Sequence, residues 1–141
     1  MNETMRKFGW PGTLIREFEH WVVLARSAQP TLGSLILAAK SDATAFGDLL
    51  AESHAELKPA TTAIEAALRE AVDYAQLNYL MLMMVDPNVH FHVIPRYEGA
   101  REWNGREFVD VGWPRIPDLG HAVALEGDEL AALVAWLRGY F

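Results

Sequence analysis

Two alternating histidines, His90 and His92, stand in the run Asn88-Val89-His90-Phe91-His92-Val93-Ile94-Pro95-Arg96-Tyr97. Side chains on a strand alternate between faces, so Asn88, His90, His92 and Ile94 share one face while Val89, Phe91 and Val93 share the other. A helix would spread the imidazoles around its barrel, and Pro95 would cut it short. Paired imidazoles on one face support three roles. They can give two nitrogens to a metal ion, with a third ligand drawn from Asp86, His20, His54 or His121. One can attack phosphorus while the next stabilises the phosphoryl oxygens or the leaving group; the attacking ring then needs its other nitrogen held by a fixed acceptor, such as a backbone carbonyl. Or both can be structural residues of a half-exposed strand, which spacing alone favours.

The elements that must position this strand are legible from periodicity. Leu14 to Leu24 reads as two short strands or one bent hairpin, with the bend at Glu17 to His20. Ser27 to Gly33 reads as a loop and Ser34 to Ala39 as a buried strand. From Asp42 the apolar period becomes helical, and Phe46, Leu49, Leu50, Ser53, Leu57, Ala60, Ile64, Ala67, Leu68 and Ala71 form one stripe. The stripe keeps phase across Pro59, which predicts one long helix kinked there. Leu77 to Val85 is apolar on both alternating faces, as expected of a central strand, and its methionines read as core filler. Asp86 and Pro87 shape a turn, so this strand and the histidine strand should pair antiparallel. Beyond Tyr97, Glu98 to Gly105 is loop-like, Phe108 to Val111 is a brief strand, and Trp103 and Trp113 pack a proline-rich region onto the body. Asp128 is the expected cap of a C-terminal helix ending at Gly139. The lead-in around Phe8, Trp10 and Pro11 is turn-rich and carries no functional signal.

With 141 residues, 51% of them hydrophobic, the chain is expected to form one domain over residues 1–141. It has no cysteine, which removes disulfides, thiolate nucleophiles and cysteine metal sites, and fits a reducing compartment. A formal charge of -7 argues against a partner gripped through many phosphates, so no nucleic acid is expected, while a small phosphorylated ligand needs only a local site. No apolar run is long enough to cross a bilayer and no signal-peptide pattern opens the chain, so no membrane partner is expected and the reading is cytoplasmic.

The run Asn88 to Arg96 resembles the signature of the histidine triad family, His-x-His-x-His followed by apolar residues and often Pro-Arg. The order of elements from about Leu14 to Tyr97 resembles that family as well, with residues 98–141 a variable C-terminal extension. The resemblance implies an α+β fold with a central antiparallel sheet, one long helix and a C-terminal helix. It implies a homodimer, and hydrolysis or transfer of a nucleoside monophosphate group from a dinucleoside polyphosphate or nucleoside phosphoramidate. No cofactor or metal is expected, because no spacing supplies a third ligand beside the two histidines. By the motif, His90 would form a nucleotidyl-histidine intermediate and His92 would hydrogen-bond the phosphoryl group or the departing atom. Asn88 replaces the first histidine and, with Arg96, is a candidate substrate-binding residue. The alternative is a nucleotide-binding module with little or no turnover, because Met83 to Pro87 stands where relatives carry a glycine-rich phosphate turn.

Overall fold

β-Branched and aliphatic residues at Leu14–Glu17 (β1), Trp21–Ala25 (β2) and Leu35–Ala39 (β4) give three neighbouring antiparallel strands, and β2 and β4 are buried at every position. In this computed structural model, which describes all 141 residues, they join His90–Arg96 (β6) and Gln76–Leu80 (β5) in a five-stranded antiparallel sheet ordered β1-β2-β4-β6-β5. The fold class is therefore α+β, as the sequence predicts. Register aligns Val22 with Ala38 and His90, and Leu24 with Ile36 and His92, so the motif strand lies between β4 and β5 near the middle of the sheet.

One face of the sheet carries Val23, Leu35, Leu37, Val89 and Val93 and packs beneath the helix Ala51–Val72 (α2). Ala60, Ile64, Leu68 and Val72 recur at the spacing of a single helical stripe and supply that contact. Helix α2 runs through Pro59 without a break, but it starts nine residues later than Asp42; Phe46–Asp48 forms only a 3₁₀ turn. Trp21 Nε1 donates to the Ser53 carbonyl at 2.7 Å and pins the helix start to β2. Gly33 has φ +87°, and a Cβ there would lie 2.9 Å from Val72 Cγ2, so the approach of the β4 entry to α2 requires glycine.

The other face carries Val22, Leu24, Ile36 and Ala38 and packs on Met5 of the short helix Glu3–Lys7 (α1), with Phe8 and Trp10 beside it. Asn2 caps α1, and its side-chain amide reaches the Ala39 carbonyl at 2.7 Å, tying the lead-in to the sheet. The segment after β6 is less loose than its composition suggests. Ala100–Trp103 (β7) and Arg106–Val109 (β8) form a hairpin whose turn residues, Asn104 and Gly105, have φ 53° and 74°. That is the two-residue turn for which Asn-Gly is suited. Ala28–Gln29 (β3) pairs with Val123–Ala124 (β9), and the helix Gly127–Arg138 (α3) adds Leu133, Val134 and Leu137 to the main core. Asp128 lies in the first turn of α3 rather than at its cap; Glu126 holds that position and makes no side-chain capping bond.

Two further expectations are corrected. The strand predicted over Leu77 to Val85 ends at Leu80 and is the sheet edge rather than a central strand, with half-buried side chains instead of a double cover. Met81 to Val85 leave the sheet: Met81 and Met83 rest against the core, whereas Met84 is 78% exposed. No helix is long and apolar enough to cross a membrane.

Candidate active site

His90 and His92 project from β6 onto the face opposite α2, with ring centroids 5.2 Å apart in an edge-on arrangement. Both are buried, at 2% and 8% exposure, yet both line a cavity of ≈ 280 Å³ that opens between the sheet, Phe8 and the segment Leu82–Asp86. The sequence places them on one face, and the structure gives that face an opening.

His90 is oriented by its own strand. Its Nδ1 lies 2.8 Å from the Asn88 carbonyl oxygen. A carbonyl only accepts, so in the neutral ring Nδ1 carries the proton and Nε2 keeps its lone pair. Phe8 closes against both imidazoles, at 5.6 Å from His90 and 5.9 Å from His92 between centroids, and fixes their planes. His92 differs from its neighbour. Its Nδ1 is buried without any hydrogen-bond partner, and its pKa is lowered to about 4, chiefly by burial and then by the positive charge of Arg26 and by His90, with Asp86 opposing. His92 is therefore neutral at pH 7, with a buried ring nitrogen left unused.

The two other residues proposed for the site fall outside the cavity lining. The Asn88 amide is consumed by the N-terminal segment: Oδ1 accepts from the Thr4 backbone N–H at 3.3 Å and Nδ2 donates to the Asp42 carbonyl at 3.0 Å. A reciprocal bond from the Asn88 backbone N–H to Thr4 Oγ1 completes the tie. Asn88 thus meets the site through its backbone carbonyl, not as a side-chain ligand. Arg96 is on the same sheet face at the far end of β6, 3% exposed, in a bidentate pair with Asp110 at 2.7 and 3.1 Å and donating to Asn78 Oδ1 at 2.8 Å. It floors a more open hollow of ≈ 640 Å³ between β5 and residues 113–117, but each of its three nitrogens is already engaged by Asp110 or Asn78.

Three residues of the cavity lie outside the sequence expectation. Phe8 comes from the lead-in, and Leu119 from the segment before β9. Arg26 follows β2 and continues the parity of Val22 and Leu24, so its alternation on the strand is the signal that could have found it. Asp86, expected to shape a turn and weighed as a third metal ligand, lines the cavity as its one carboxylate, and Lys7 Nζ meets it at 2.7 Å. His20, His54 and His121 are not in the cavity. The one group of three metal-ligating side chains within 4.8 Å of one another is Glu19, His20 and Glu56, which includes neither strand histidine.

Comparison with solved structures places this architecture. A histidine triad protein from Sinorhizobium meliloti aligns over 100% of this chain and 96% of its own with a TM-score of 0.71 at 21% identity. One from Bradyrhizobium japonicum aligns over 99% and 95% with a TM-score of 0.69, also at 21% identity. This is a histidine triad fold. A hypothetical histidine triad nucleotide-binding protein from Sulfolobus tokodaii shares it over 97% of this chain and 88% of its own, with a TM-score of 0.68 and 17% identity. No family sequence model matches the chain, and no curated protein sequence matches it, so the likeness to histidine triad proteins is carried by structure.

Proposed function

We propose that this histidine triad fold is a nucleotide hydrolase or transferase in which His90 attacks phosphorus. The observation that carries the reading is the fixed tautomer of His90: the Asn88 carbonyl holds Nδ1–H, so Nε2 is the free nucleophile in a cavity shared with a second imidazole and an arginine. As the P–N bond to Nε2 forms, the bond from phosphorus to the leaving group breaks and that group departs with the electron pair. Water then attacks phosphorus as the P–N bond breaks, the electron pair returns to Nε2, the water oxygen loses a proton to solvent, and His90 regains its starting form. Neutral His92 can donate one N–H to a phosphoryl oxygen or to the departing atom, where developing charge makes the bond strongest. A phosphoanhydride or phosphoramidate of a nucleotide fits this chemistry, and the Sulfolobus tokodaii relative is described as nucleotide-binding. β5 is a sheet edge with its outer backbone groups unpaired, which suits association of two copies.

The test is intact mass on rapidly quenched mixtures of the protein with a dinucleoside polyphosphate and, separately, an adenosine phosphoramidate. A nucleotidyl adduct in the wild type, absent in His90→Ala, with product accumulating, is expected. Ligand binding with neither adduct nor product would replace the enzyme by a binding module.

A further inference from the structure

Arg26 is the one cation in the histidine cavity without an anionic partner. Its guanidinium is half-buried, makes a single side-chain hydrogen bond, from Nη1 to the Ala28 carbonyl at 3.2 Å, and has no carboxylate within ion-pair distance. The other arginine buried beside this sheet face, Arg96, has three nitrogens engaged by Asp110 and Asn78. Partly withdrawing a guanidinium from water with no carboxylate to pair with it is unfavourable, and burial holds the Arg26 pKa below its usual value. His92, in the same lining, is more than nine-tenths buried and has a ring Nδ1 without a partner. Arg26 therefore presents to the histidine cavity a cation that no protein anion neutralises.

Register fixes where that cation lies relative to the nucleophile. His90 shares a row of the sheet with Ala38 and Val22, and His92 with Ile36 and Leu24. The Arg26 backbone N–H bonds to the Ser34 carbonyl at 3.1 Å, one row further on. Along the sheet face the order is His90, His92, Arg26, with successive rows about 7 Å apart. A phosphoryl group at His90 is thus separated from Arg26 by the depth of a second substituent. Asp86, the one carboxylate of the lining, meets Lys7 at 2.7 Å and is not within ion-pair distance of Arg26.

We propose that Arg26 is a specificity residue that binds a second anionic group of the substrate, beyond the phosphorus attacked by His90. This deepens the nucleotide reading above and rests on it. The favoured substrate carries a further phosphate, either on the leaving group or retained on the nucleoside, so that one anion meets the imidazoles and the other meets the arginine fork. A phosphoramidate with a neutral leaving group and no other anion leaves Arg26 unmet.

Calorimetric titration of the wild type, Arg26→Gln and Arg26→Lys with AMP, ADP and adenosine 3′,5′-bisphosphate tests this. The wild type should bind one of the two doubly phosphorylated ligands roughly tenfold or more tighter than AMP. ADP preference locates the anion on the leaving side, and bisphosphate preference on the nucleoside side. Arg26→Gln should erase the preference by weakening the doubly phosphorylated ligand more than AMP, and Arg26→Lys should keep part of it. In parallel, the NMR titration of His92 should move up in Arg26→Gln, a change that a purely structural arginine away from the cavity would not cause. Equal affinity for all three ligands in the wild type, or a preference surviving in Arg26→Gln, overturns the assignment and leaves the His90 chemistry standing. If none of the three binds the wild type, the nucleotide reading and the Arg26 assignment fall together.

Discussion

At one end of β6, Arg96 meets a bidentate carboxylate and an amide oxygen, and Tyr97 N–H adds a 3.2 Å bond to the same Asp110 oxygen. At the other end, His92 keeps a buried nitrogen without a partner and Arg26 lies nearby without a counter-ion. Both ends share one sheet face, and His90 and His92 are buried as Arg96 is, although Arg26 is only half-buried. What separates them is satisfaction. The Arg96 end spends its polar groups on holding β5, β6 and the C-terminal segment together; the histidine end leaves them free for a ligand. Buried polar groups are almost always paired in folded proteins, so an unpaired cluster marks the end of the strand where chemistry is to be sought.

The largest effect that would sharpen this contrast is on rate. His90→Ala removes the nucleophile at the unsatisfied end and should lower turnover by at least about 10⁴-fold, with the urea midpoint little changed. At the satisfied end the consequence should be the reverse. Asp110→Ala leaves a buried guanidinium unpaired and removes an acceptor for Tyr97 N–H, and should cost about 3–5 kcal/mol in urea unfolding while sparing adduct formation at His90. Loss of adduct formation in a folded Asp110→Ala protein would mean that the two ends are coupled.

The contrast was only half legible in the sequence. The histidine pair could be read because a strand has period two and β6 is long enough to show it. Arg96 could be placed on the same face for the same reason, but its partner Asp110 lies 14 residues on, in the brief strand read over Phe108 to Val111, and nothing local says that this segment returns to the end of β6. Asn88 could be read as occupying the first histidine's position; that its side chain is spent on Thr4 and Asp42 depends on contacts across 84 and 46 residues of chain. Phe8 reaches the imidazoles only because Asn2 anchors the lead-in to the end of β4, a contact no local pattern announces. Arg26 is different. Its parity with Val22 and Leu24 was present in the sequence, and what was missing was the register that sets β2 two strands from β6. Asn104-Gly105 likewise carried a hairpin signal inside a stretch whose charged and polar residues read as loop.

A smaller effect distinguishes the ends by pH. His92 has a folded-state pKa lowered to about 4 from the ordinary 6.5, so between these values the unfolded chain binds the proton that the folded chain refuses. Its contribution to stability is complete above about 6.5, declines as pH falls through that window, and is gone below about 4. The loss should be on the order of 2 kcal/mol, less than full linkage gives because water reaches the cavity. Urea unfolding of the wild type and His92→Gln at several pH values isolates it, since carboxylate contributions cancel in the difference. Identical pH dependence in the two proteins would remove the contrast between a refused proton at His92 and the settled charges at Arg96 and Asp110.

The smallest expected effect is the one that could break the comparison outright. Arg26→Gln and Arg96→Gln make the same chemical change at the two ends. At Arg96 the substitution strands the Asp110 carboxylate and should cost about 3–5 kcal/mol. At Arg26 it deletes one hydrogen bond to the Ala28 carbonyl, worth about 1 kcal/mol, and removes a poorly solvated charge whose relief acts in the opposite direction. The two terms should nearly cancel, leaving the stability of Arg26→Gln within about 0.5 kcal/mol of wild type in the absence of ligand. A cost near that of Arg96→Gln would mean that the Arg26 guanidinium holds the fold as its counterpart does. A neutral change, together with a lost preference for the second phosphate, would mean that the free donors at this end of the sheet are kept for a ligand, with no measurable benefit to the empty protein.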